Sequence, residues 1–196
     1  MQAGPAPLFA AGVSLGGNAL LKWLGEQGDS ASSVVTACAA LSAPLDLMAA
    51  GEALGRGLNL IYTRAFLRTL RSKSVAKLGQ YSGLYDRDAM LRATTLRAFD
   101  DVVTAPMHGF RDTDDYWTRS ASKPWLSRIA TATLVINARN DPFLPAAALP
   151  RPAEVSAAVR CEFPDEGGHA GFVSGAFPGR IDWPAQRIIS FFQDQL

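Results

Sequence analysis

Four short apolar runs, each closed by turn residues, punctuate the chain and set its expected strands. Leu8 to Val13 (L-F-A-A-G-V) runs up to Ser14. Asn18 to Gly25 (N-A-L-L-K-W-L-G) then places Leu20, Leu21 and Leu24 at helical spacing. Gly28-Asp29-Ser30 ends that helix, because glycine and short polar residues favour turns. Val34 to Leu41 (V-V-T-A-C-A-A-L) is apolar with β-branched residues at its start, the pattern of a strand buried on both faces. Strand signals return at Ala132 to Ala138 and at Ala158 to Pro164. A closing helix follows over Pro184 to Gln195, with Ile188, Ile189 and Phe192 assigned to one face. Strands alternating with helices predict an α/β fold, a mostly parallel sheet with helices on both faces.

Residues 51–125 break this rhythm. Leu58, Ile61, Tyr62, Phe66 and Leu70 recur at helical spacing with Arg64, Arg68 and Arg71 between them, and a second helix is expected over Asp88 to Val103. The segment reads as a mostly helical insertion within a domain spanning 1–196. Arg56, Arg64, Arg68, Arg71, Lys73 and Lys77 fall close together without an acid among them. Such a run suits either a basic lid that meets a membrane surface or a solvated helix face, and the solvated face is the preferred expectation.

The 196 residues suit one domain, and 48% hydrophobic with 19% charged residues describes a globular chain. A net charge of +1 offers no global attraction for nucleic acid. Cys38 and Cys161 lie in apolar runs and read as small buried residues, so no disulfide framework is expected and a reducing cytoplasm is the expected setting. The first residues lack the basic and apolar regions of a secretory signal. No metal cluster, Walker loop or dinucleotide fingerprint occurs, so no cofactor is implied.

The chemistry concentrates at the ends of the expected strands. Gly12-Val13-Ser14-Leu15-Gly16 is a G-x-S-x-G pattern lying between a strand and a helix. The bare pattern is common in a chain with 17 glycines, but its position is the one its mechanics require. A serine hydroxyl becomes a useful nucleophile when a strained strand-to-helix turn exposes it, and Gly12 and Gly16 are expected to remove side chains that would clash there. The Leu15 N–H, at the start of the helix, is then placed to bind a developing oxyanion.

His169 and His108 are the two histidines. His169 lies in a glycine-rich loop (E-G-G-H-A-G) after the last strand and is the expected base; His108, within the insertion, is expected to be structural or to line a pocket. Asp141, in N-D-P after the 132–138 strand, is the expected acid, although an Asp-Pro turn alone would also explain it. Asp46, after the 34–41 strand, is its competitor, and Asp165 is expected only to shape the histidine loop.

The runs G-V-S-L-G-G-N-A-L-L-K-W-L-G-E, S-A-P-L-D-L, F-D-D-V-V-T-A-P-M-H-G-F, N-A-R-N-D-P-F-L-P and E-G-G-H-A-G-F carry a resemblance to a known family. From Leu8 onward the chain resembles the YheT-like branch of the α/β-hydrolases, related to eukaryotic ABHD-type lipid hydrolases and to yeast medium-chain ester synthases. The resemblance implies carboxylic-ester hydrolysis on small-molecule or lipid-like esters, fatty-acyl esters among them, with Ser14, Asp141 and His169 in the triad positions. It also implies an N-terminal half with further strands and a second oxyanion donor. By that comparison the 196 residues are a partial hydrolase domain, expected to expose the edge of the Ser14 strand and to have little activity alone. Acyl transfer on the same scaffold, or an inert hydrolase-like fragment, are the competing readings.

Overall fold

A computed structural model describes residues 6–196. Contacts divide the chain into a sheet unit, formed by residues up to Asp46 together with Ala121–Leu196, and a helical unit, Leu47–Ser120. The helical segment thus begins four residues earlier and ends five residues sooner than the 51–125 that periodicity suggests.

The sheet unit contains β1 (Phe9–Val13), β2 (Ala37–Leu41), β3 (Ala132–Ile136) and β4 (Val159–Glu162), all parallel and ordered β1-β2-β3-β4. Each strand is one to three residues shorter than its apolar run, because the run ends supply turns. Among the described residues β1 pairs only with β2. Helix α1 (Leu15–Gln27) follows β1 directly and buries Leu21 and Leu24 completely. Its Gly17 backbone lies against Ala40 and Ala43, so α1 covers the Cys38/Ala40 face of β2.

The small residues of β2 (A-C-A-A-L) let helices approach both faces of the sheet. On the opposite face Ala37, Ala39, Leu134 and Ile136 form a core with Phe172 and Phe191. Burial of this kind contributes about 25 cal/mol per Å² of apolar surface. The sheet unit closes with α8 (Trp183–Gln193), which the bidentate Arg187–Glu162 pair ties to β4. α8 turns inward a face other than the one its spacing predicts. Phe191 is buried beside half-buried Ile188 and Phe192, whereas Ile189 is 56% exposed. Ile188 and Phe191 are spaced i, i+3 and share a side, and Ile189 is rotated away from it.

The helical unit comprises α2 (Leu47–Leu54), α3 (Leu60–Gln80), α4 (Arg87–Arg92), α5 (Leu96–Phe99), α6 (Ala105–Met107) and α7 (Thr113–Ser120), with a π-helical turn at Asp100–Thr104. The helix expected over 88–103 is therefore several. Asp86 caps α4 through the amides of Asp88 and Ala89. Thr95 caps a new helix through Ala98, so the two Thr residues at 94 and 95 mark a break rather than continuing a turn. Leu67, Met90, Ala93, Phe99 and Val103 form the core of this unit.

Trp117 anchors α7 within the unit. Gly51 of α2 lies so close to its ring that a Cβ there would stand 2.3 Å from an indole carbon, and the Arg97 guanidinium sits 4.8 Å from the ring centroid. The indole N–H donates to Asp100 Oδ2 at 2.9 Å, while Thr104 Oγ1 donates to Asp100 Oδ1 at 2.6 Å. Burial pushes the Asp100 carboxyl above the ordinary carboxylate range; those two hydrogen bonds oppose the shift, and neighbouring Asp101 adds to it.

A carboxyl whose folded pKa is raised contributes stability that is complete at acid pH and is lost as pH rises through the folded value. Asp100→Asn keeps an acceptor for Trp117 and removes this titration. The thermal midpoint of the variant minus that of the wild type is expected to rise between about pH 3 and about pH 7. Parallel midpoint curves across that range would show that Asp100 does not titrate in this way.

Candidate active site

The turn after β1 is the first component. Ser14 adopts φ 52° and ψ −127°, a region that residues with side chains rarely occupy. Three backbone hydrogen bonds hold it there. Its N–H donates to Leu41 O at 2.8 Å, and its carbonyl accepts from Gly17 N at 2.9 Å and Asn18 N at 3.2 Å. A serine at this position usually spends its hydroxyl on capping the helix. Here no such cap forms, and the Ser14 hydroxyl meets His169 Nε2 at 3.0 Å instead.

The turn also revises the expected role of the glycines. A Cβ on Gly12 would stand 2.6 Å from Gly16 O and 2.7 Å from Gly17 N, both backbone atoms that cannot step aside. A Cβ on Gly17 would meet Gly12 O and Ala43 Cβ at 3.0 Å. Gly16, by contrast, would place its Cβ in open space. The close approach belongs to Gly12 and Gly17. The spacing of the pattern names Gly16, but Gly17 is the residue that α1 turns toward β2.

β3 and the loop after it bring the second component. Asn137 donates its side-chain amide to Ala43 O at 3.0 Å, pinning the end of β3 beside the end of β2. Asp141 then does two things at once. Its Oδ1 accepts from Phe143 N at 2.8 Å, closing the Asp-Pro turn, and its Oδ2 meets His169 Nδ1 at 2.9 Å. The turn and the contact with histidine are alternatives in the sequence and are both present in the structure. The Asp141 side chain is 1% exposed.

His169 reaches the site from the loop after β4, with its side chain 20% exposed. Gly168 takes φ 61°, a conformation suited to glycine, and donates its N–H to Asn140 Oδ1 at 2.8 Å. The Phe143 ring lies 4.3 Å from the imidazole centroid. Asn140 and Phe143 were not singled out by the sequence; they flank Asp141 in N-D-P-F, and only the fold reveals that both face the histidine loop.

The partners set the tautomer. A carboxylate only accepts, so His169 Nδ1 carries the proton and Nε2 is free to accept the Ser14 hydroxyl hydrogen. Leu15 begins α1, and its N–H is among the first-turn amides that an α-helix leaves without an intrahelical partner.

The remaining candidates stand elsewhere. His169 bonds to Asp141, and Asp46 is half-buried in the loop after β2. Asp165 is exposed and pairs with Arg139 at 3.4 Å, across the loops that follow β3 and β4. His108 lies in the helical unit, ending α6 with its N–H bonded to Thr104 O at 3.2 Å. Burial pushes the Cys38 and Cys161 thiols up to about 11, so neither is a thiolate nucleophile near neutral pH. Among the described residues no group of three or more His, Cys, Asp or Glu is placed to hold a metal ion.

The glycine geometry has a direct test. Gly12→Ala is expected to lose about 1–3 kcal/mol or more of stability, the usual cost of forcing a methyl group against packed atoms. Gly16→Ala is expected to fold with an unchanged or raised thermal midpoint, since alanine suits a helix better than glycine. Equal destabilisation by the two substitutions in thermal melts would contradict the assignment.

Comparison with known proteins identifies the fold. A family profile described as the alpha/beta hydrolase fold matches residues 2–176. YheT of Escherichia coli (strain K12), named as a candidate esterase, is 35% identical over 187 residues, which cover 94% of this chain and 54% of that protein. Phospholipase ABHD3 of Mus musculus is also 35% identical, over 96% of this chain and 46% of its own length. The chain therefore spans about half the length of these curated relatives. Among solved structures, a Paleococcus ferrophilus monoacylglycerol lipase superposes with a TM-score of 0.52 at 15% identity, covering 97% of this chain and 69% of that one; it is similar in fold. With the profile covering most of its length, this chain belongs to the α/β-hydrolase fold family.

Proposed function

We propose that the chain carries the nucleophile, base and acid of a serine ester hydrolase, with Ser14, His169 and Asp141 in those roles. One observation carries the reading. His169 spans from Ser14 Oγ at 3.0 Å to Asp141 Oδ2 at 2.9 Å, joining residues 155 and 28 positions away in the sequence. The esterase and phospholipase names of the relatives, together with the family, support esters, lipid-like ones included, as the substrate class. In this reading the helical unit, inserted in sequence between β2 and β3, serves as the cap.

The chemistry follows from the geometry. Ser14 Oγ attacks the ester carbonyl as its proton passes to His169 Nε2. The imidazolium formed is stabilised by the Asp141 carboxylate at Nδ1. Negative charge developing on the carbonyl oxygen meets the Leu15 N–H. Collapse of the tetrahedral intermediate breaks the ester C–O bond, and His169 returns its proton to the departing alcohol. Water, deprotonated by the same nitrogen, then attacks the acyl-serine and releases the carboxylic acid. An alcohol in place of water would give acyl transfer with the same residues.

Fluorophosphonate labelling of the chain, alongside turnover of a p-nitrophenyl ester, tests the assignment. Labelling is expected for the wild type and absent for Ser14→Ala. Asp141→Asn is expected to lower the rate by about 10²–10⁴ with folding intact, because the amide cannot hold the imidazole in the required tautomer or stabilise its cation. A wild-type protein that folds and does not label is an inert hydrolase-like fragment. Labelling that persists in Ser14→Ala places the nucleophile elsewhere.

A further inference from the structure

Helix α3 has two uncharged sides, and the helical unit's own core uses only one of them. Residues advance roughly 100° per step around a helix. Thr63, Leu67 and Ser74 therefore share a stripe, and all three are buried, with Leu70 half-buried beside them. The periodicity of Ile61, Tyr62 and Phe66 suggests a core face, but these residues are exposed. On the side opposite the buried stripe lie Ile61, Ala65, Thr69, Ser72 and Ala76, with Tyr62 next to them, all exposed and none charged. Ile61 is 64% exposed, and Leu58, in the turn leading into the helix, is 85% exposed.

Charge borders this strip instead of occupying it. Arg64 and Arg68 lie along one margin, and Lys73 and Lys77 along the other, all exposed. Arg71 is half-buried, with its guanidinium engaged by the Ala93 carbonyl within the unit. No acidic residue occurs from Gly57 to Tyr85. A solvated helix face carries charged and polar residues across its outward side. Here the centre is uncharged and the cations flank it, the arrangement of a helix lying in an interface with long basic side chains reaching outward to the polar layer.

We propose that this face of α3 docks on the surface of an anionic lipid bilayer. Ile61, Tyr62 and Leu58 enter the headgroup boundary, and the four flanking cations meet lipid phosphates and carboxylates. Charge complementarity selects this occupant. A second copy meeting the same strip about a two-fold axis would set like charges against each other with no acid nearby to offset them. The helix lies on the membrane and does not cross it; no described helix is long and apolar enough to span a bilayer. The proposal is independent of the Ser14 chemistry.

Vesicle sedimentation of the full chain tests it, using phosphatidylcholine vesicles with and without phosphatidylserine. The protein is expected to sediment with the mixed vesicles and not with the neutral ones, and to be released as salt rises to about 0.5 M. Arg64→Glu combined with Arg68→Glu is expected to weaken binding about tenfold or more. Ile61→Asp is expected to weaken it comparably, with the thermal midpoint unchanged because Ile61 adds nothing to the core; should that variant unfold, the arginine pair decides. Failure to bind, equal binding to both vesicles, or binding untouched by the arginine reversals overturns the proposal. A homodimer dissolved by Ile61→Asp in the absence of vesicle binding also overturns it and assigns the strip to a second copy.

Discussion

The parallel pairing of the four strands makes their C-terminal ends finish along one edge, and the site depends on that edge being held in register. Three hydrogen bonds, one of them from Asn137 N to Glu162 O at 3.2 Å, extend the ladder just past the strands. Ser14 N donates to Leu41 O at 2.8 Å, and Ser42 N donates to Ile136 O at 2.7 Å. The Asn137 amide adds a side-chain link from the end of β3 to Ala43 O. The turns carrying Ser14 and Asp141 thus leave neighbouring, mutually fixed positions. His169, at the end of a longer loop after β4, needs its own restraint, which Asn140 and the Phe143 ring supply. An imidazole bonded at both nitrogens tolerates little drift in either partner, so these backbone anchors matter as much as the three side chains.

Strain gathers at the same edge. Among the described residues, Ser14, Ser42 and Phe172 are the non-glycine residues with positive φ. Ser14 and Ser42 directly follow β1 and β2, and Phe172 follows the histidine loop. Conformations of this kind cost of order 1–3 kcal/mol each and persist only where surrounding structure over-determines them. The surroundings here are dense. Phe172 is buried in the core with Ala138 and Phe191, its N–H bonded to Gly167 O at 2.8 Å, and Gly12 and Gly17 are in direct backbone contact under Ser14. The packing of the sheet unit therefore stabilises a turn whose serine would otherwise relax into a cap.

The candidate site was legible in the sequence because each of its residues sits at the boundary between an apolar run and a turn. Ser14 closes the first run, Asp141 follows the third and His169 the fourth, and strand ends survive errors of a residue or two in the strands themselves. What was not legible depends on direction rather than spacing. Ile61, Tyr62 and Phe66 recur at helical intervals, but a helix with two uncharged sides gives no internal sign of which side turns inward. Ile189 of α8 misled in the same way. Gly16 and Gly17 are adjacent and identical, so only the approach of α1 to Ala40 and Ala43 separates them. The break between α4 and α5 rests on Thr95 capping a new helix, a competition between side chain and backbone that a periodic pattern does not register.

The two units divide their liabilities. All three proposed catalytic residues belong to the sheet unit, where strain and a buried carboxylate are balanced by helices packed on both faces of the small-residue strands. The helical unit has a smaller core, centred on Leu67, Met90, Phe99 and Val103. It fixes α7 through the buried Trp117 indole, held by Gly51, Arg97 and Asp100, and through Thr113, which bonds to Asp101 and to the Arg97 carbonyl. Such a unit gains little for its own stability from Leu58 and Ile61, which leave large apolar groups in water, or from Arg64 and Arg68, which lie exposed on α3. Exposed apolar side chains bordered by cations suit a surface that is apolar beneath and anionic above. In the proposed docking, the uncharged strip of α3 and its flanking cations serve that interface rather than the core of the unit.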